Sequence, residues 1–193
     1  FPWTKFFEVQ GIEQPKLFSV SVPDFFREVD AMLVDVPVEQ WKSYLRFHVV
    51  DNASPYLSDE FVQQHFEFHN KTLSGQKEIK PRWKRVLATI NNQIDEAMGQ
   101  MYVKVAFPPE SKERMEALVA NLGEALKERI RNLEWMSEET KAKALEKQAA
   151  FTTKIGYPDK WRDWTGLETS RDSYLGNVLA AQEFNYRWMI NKI

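Results

Sequence analysis

The sequence of 193 residues predicts an all-α fold, a multi-helix, bundle-like lobe with one short extended segment from Lys16 to Val22. Apolar residues recur every three or four positions through most of the chain, the spacing that gathers side chains on one helix face. Two-residue alternation is confined to the short segment, with Leu17 facing out and Phe18, Val20 and Val22 facing in. A single strand has no partner for its backbone groups, so this stretch reads as an extended arm. Strong breakers, above all Pro108-Pro109, fall between the periodic runs and not inside them.

Phe1-Pro2-Trp3 opens the chain ahead of the arm. Three short helices follow, carried by Phe25, Phe26, Val29, Met32, Leu33 and Val36, then Trp41, Leu45, His48 and Val49, then Phe61, His65, Phe68 and Leu73. A longer helix is expected from residue 81 to about 105, with Trp83, Leu87, Ile90, Ile94, Met98 and Met101 on its apolar face. Beyond the proline pair a second long helix runs over about 111–133, through Met115, Leu118, Leu122, Leu126 and Ile130. Ser137 is placed to cap the next helix, and Glu138 and Glu139 sit against its positive dipole end. Gly156 is expected as a left-handed C-terminal cap, with Pro158 preventing continuation.

Residues 74–80 and 157–170 read as loops. The second holds Trp161 and Trp164, which are expected to be covered internally, the alternative being a loop packed on another part of a longer protein. Tyr174, Leu175, Val178, Leu179, Tyr186 and Met189 keep helical spacing almost to Ile193 with no glycine stop. The expectation is therefore one lobe over residues 1–171, and a helix over residues 172–193 leading towards a further lobe. A chain that starts at Phe1, without an initiator Met or a signal peptide, is expected to be cut from something longer.

Composition excludes several function classes. A chain of this length buries roughly 70% of its unfolded surface, so it needs no metal or disulfide to fold. The formal net charge of -2 lacks the basic surplus of a nucleic-acid binder. With no cysteine, thiol nucleophiles, thiolate metal sites and disulfides are ruled out, while compartment stays undetermined. No apolar run approaches the roughly 20 residues of a membrane span, and the glycines form neither a Walker loop, a dinucleotide fingerprint nor a nucleophile elbow.

Four constellations are candidates for chemistry. His65-Phe66-Glu67-Phe68-His69 places two imidazoles four apart on one helix face, about 5 to 6 Å apart at Cβ. In H-E-x-x-H the glutamate directly follows the first histidine; here Glu67 sits about 200° around the helix from His65, and the only other histidine, His48, lies in a different helix. The expectation is packing and surface hydrogen bonding, with no metal ligand among them. His48 is expected to be buried and bonded to a carbonyl. Glu168 and Asp172 spell E-x-x-x-D, assigned to helix capping by Ser170 or Asp172. The basic run Lys80-Pro81-Arg82-Trp83-Lys84-Arg85 opens a helix, where cations meet the positive dipole end, so an intramolecular Asp or Glu is expected there and not a nucleic acid.

The run Leu133-Glu134-Trp135-Met136-Ser137-Glu138-Glu139-Thr140-Lys141, with Ala144, Lys147, Ile155-Gly156-Tyr157-Pro158 and, upstream, Asn91, Met101-Tyr102, Ala106-Phe107 and Glu110-Ser111-Lys112, resembles the neprilysin and endothelin-converting-enzyme family of zinc metallopeptidases. Val86 follows Trp83-Lys84-Arg85 where animal members carry cysteine, which fits a bacterial member. The resemblance implies a fragment of the N-terminal non-catalytic lobe, a lid that restricts access to the active-site cavity. It implies zinc, peptide substrates and a catalytic lobe in the parent protein, and a periplasmic, secreted or cell-surface location. This chain lacks H-E-x-x-H, so no catalytic, cofactor-binding or metal residue is carried over and the chain alone is expected to be inactive. The alternative is a freestanding helical protein-interaction module.

Overall fold

The computed structural model describes residues 1–192, and among them every regular element is helical. The chain divides into two compact units, one of Phe1–Lys84 with Leu167–Ile193, the other of Arg85–Gly166.

In the first unit, α1 (Trp3–Val9) leads into the irregular arm, where Leu17 is exposed. Phe18 turns in against Trp3 and Phe7, each ring centroid 5.1 Å away, as the alternation predicts. Val22 departs from that pattern and lies exposed, because it already flanks the helix start at Pro23. Helix α2 (Pro23–Asp35) begins on a proline whose fixed φ suits the first turn, and stops at Val36, held extended by Pro37. Helix α3 (Val38–Ala53) ends in a 3₁₀ turn, Ser54–Tyr56, where buried Ser54 donates its hydroxyl to the Val50 carbonyl at 2.7 Å.

Helix α4 (Asp59–His65) passes without a break into a π-helical segment, Phe66–Thr72. The wider turn is fixed by side chains reaching back five residues: Thr72 Oγ1 donates to the Glu67 carbonyl and Ser74 Oγ to that of His69. Val62 and Phe66 on this stretch are buried, as are Val178 and Ala181 of α9 (Tyr174–Ile190). Tyr56 and Tyr174 meet edge to face at 5.6 Å, and the Tyr186 hydroxyl donates to Gln10, so both ends of α9 are tied to the rest of the unit. The cap of α9 is Ser173, which accepts from the Gly176 amide at 2.9 Å. Ser170 and Asp172, expected as caps, form the preceding turn, where Asn177 clips both backbone groups of Ser170.

In the second unit the expected single helix from residue 81 is interrupted. Helix α5 (Arg82–Gln93) stops at Ile94, with φ -138° and ψ 47°, and α6 (Asp95–Ala106) starts afresh. Asn91 and Asn92 are weak helix formers, Asp95 and Glu96 suit a new N-terminus, and the Glu96 carboxylate accepts the Arg162 amide at 2.7 Å. Helix α7 (Pro109–Arg131) follows the proline pair and packs against α8 (Glu138–Ala149). Ser137 caps α8 as predicted, accepting from the Thr140 amide. Gly156 does not cap it, since α8 ends at Ala149. Its φ of +67° belongs to the loop, where a Cβ would lie 2.5 Å from a Phe107 ring carbon. Tyr157 stacks on Trp161 and Arg162 lies over Trp164, so the tryptophan loop is covered from within its own unit.

Little of this chain is buried. Its accessible surface is 15,846 Å². A folded chain of 22.7 kDa is expected to expose about 9,500 Å², and two independent half-size domains about 11,500 Å².

Candidate functional site

The densest convergence of chemically capable side chains among the described residues lies where α3 meets α4 and the π segment. Asp51 comes from the last turn of α3, His65 from the end of α4 and His69 from the π segment. A carboxylate only accepts, so His69 Nε2 carries a proton and donates it to both Asp51 oxygens, at 3.0 and 3.1 Å. The His65 ring lies 4.4 Å from that of His69, tilted by 32°. One ligating atom from each of the three residues lies within 4.8 Å of the others. Burial pushes the His65 pKa below the usual imidazole value and the neighbouring His69 adds to the shift, while Asp51 opposes it.

All three are half-buried at the foot of a cleft of about 390 Å³ walled by Phe47, Val50, Phe61 and Phe68. Glu67 turns away, as its helical position predicts, and pairs with Lys71 and Gln63. The third donor, Asp51, is not a histidine and lies 18 residues from His69 on another helix. No periodicity or motif marks it.

The other candidates stay apart. His48 is exposed, not buried, with its ring against Tyr44 at 4.3 Å, because α3 turns that face outward in this chain. Trp83 is exposed with Lys84 over its ring. The catalytic zinc implied by the family resemblance does not fit these residues. The position after His65, where a peptidase helix needs its glutamate, holds Phe66, buried to 5% exposure.

The model of Peptidase family M13 matches residues 1–158. A neutral endopeptidase of Lactobacillus helveticus is 32% identical over 141 residues, covering 73% of this chain and 22% of that protein. Endothelin-converting enzyme 1 of Mus musculus is 27% identical, covering 97% and 25%. The cryo-EM structure of the Mycobacterium tuberculosis zinc metalloprotease Zmp1 in an open state superposes with a TM-score of 0.80 at 34% identity, over 96% of this chain and 29% of that one. The chain thus spans about a quarter of the length of the curated relatives it matches.

Proposed function

The chain belongs to peptidase family M13, and from that premise we propose that it forms the greater part of a non-catalytic helical lobe, a lid limiting which substrates reach the active site of a zinc peptidase. The uncovered apolar surface carries the reading. Leu118, Leu122 and Leu126 of α7, and, in the other unit, Leu179, Tyr186 and Met189 of α9, are exposed, and large apolar side chains left exposed on a helix fit contact with another body. On this reading α9 buries Val178 and Ala181 against its own unit and leaves Leu179 and Met189 to a catalytic lobe.

Peptide hydrolysis and its zinc belong, in this proposal, to the whole protein. No residue of this chain is assigned to either, and its contribution is to shape and wall the cavity.

The test compares cleavage of a short peptide and of a folded protein by the whole peptidase, with and without Leu179→Glu plus Met189→Glu. Loosening the lid is expected to admit the folded substrate while peptide cleavage persists. Unchanged size discrimination would refute the lid, and zinc-dependent peptide hydrolysis by these 193 residues alone would refute the non-catalytic assignment.

A further inference from the structure

We propose that Asp51, His65 and His69 form a binding site for a divalent cation of the zinc class, separate from any catalytic metal and serving to pin α3 to α4. Three donors of the right kinds converge from α3, α4 and the π segment, and their ligating atoms already lie within 4.8 Å of one another. Tetrahedral zinc, with bonds of about 2.0–2.1 Å, sets its donors about 3.3 Å apart. The pair His69 Nε2 and Asp51 Oδ1, at 3.0 Å, stands close to that spacing. The remaining closure falls to the His65 side chain at the end of α4. As the cation takes the place of the Nε2 proton, that proton moves through solvent to Nδ1 of the same ring, so the imidazole stays neutral.

The donor set selects the metal. Two imidazoles and one carboxylate suit Zn²⁺, Ni²⁺ or Cu²⁺, whereas Mg²⁺ and Ca²⁺ want all-oxygen shells. The two rings lie side by side where α4 passes into the π segment, and such segments recur at functional sites. Three protein ligands leave a fourth position facing the apolar cleft, where water completes the shell. With Phe66 buried in place of an adjacent glutamate, the site lacks a general base and its role is that of a clamp. The inference stands on this chain's own residues, and its failure would leave the lid reading untouched.

The test strips the protein with chelator, then titrates Zn²⁺ against a chromophoric competitor, for the wild type and for Asp51→Asn, His65→Gln, His69→Gln and the double histidine variant. One equivalent is expected to disappear in the double variant, and each single change to weaken that equivalent at least tenfold. Millimolar Mg²⁺ is expected not to displace it. Side-chain nitrogen resonances of the wild type give a readout independent of variant folding: His65 and His69 shift on Zn²⁺ addition and His48 does not. Equal stoichiometry and affinity in wild type and double variant, or no shift at His65 and His69, would overturn the site.

Discussion

Replacing Phe66 and Phe68 by alanine, one at a time, sets two identical side chains in one π segment against each other. Phe66 is 5% exposed and Phe68 is 52% exposed. If truncation removes about 150 Å² of apolar side-chain area at about 25 cal/mol per Å², Phe66→Ala costs about 3.6 kcal/mol and Phe68→Ala about 1.8 kcal/mol. The first figure falls within the usual range of about 3–5 kcal/mol for a buried phenylalanine. Urea denaturation of the 193-residue chain, followed by far-UV circular dichroism, reads both values. The gap of about 1.8 kcal/mol is the quantity to watch, because errors in the unfolded reference largely cancel in it. Equal costs would mean that the core does not sit where α4 turns into the π segment, and the positions of His65 and His69 would lose their support.

Gly156→Ala should destabilise by about 1–3 kcal/mol, since the added Cβ meets Phe107 and the residue has a left-handed φ; an unchanged melting temperature would contradict the loop geometry. Lys112 Nζ donates to the Tyr157 carbonyl at 3.0 Å and to Asp159, and the Asp159 hydrogen bond raises its pKa. A raised folded value means that this stabilisation is complete below the ordinary lysine value of about 10.4 and is lost as pH rises through the folded one. Lys112→Met should therefore be less stable than wild type at pH 7, with the difference closing at strongly alkaline pH; a pH-independent difference in urea midpoints would show that the charge plays no part. Ser137→Ala removes the α8 cap and should cost about 0.5–1 kcal/mol, the low end because the Thr140 bond is 3.3 Å long, and a loss of thermal stability measures it.

The elements that sequence places correctly are those set by local chemistry. Pro108-Pro109 divides α6 from α7, and Ser137 with Glu138 and Glu139 starts α8, because sterics, capping and the helix dipole act within one turn. The apolar spacing of α2, α3 and α7 likewise suffices to predict an all-helical lobe. Misplaced features are those that answer to distant partners. The break at Ile94 goes with Glu96 reaching the Arg162 amide, and Gly156 answers to the Phe107 ring instead of to the end of a helix.

The candidate site follows the same division. Local sequence puts His65 and His69 on one face and turns Glu67 away, and the structure agrees. Asp51 enters only when the end of α3 meets the π segment, where its carboxylate accepts from His69. The sequence alone therefore determined the helical class, the helix limits under local control and the family. Tertiary packing decided which side chains meet, because pairing across helices depends on burial and register that no single-helix periodicity encodes.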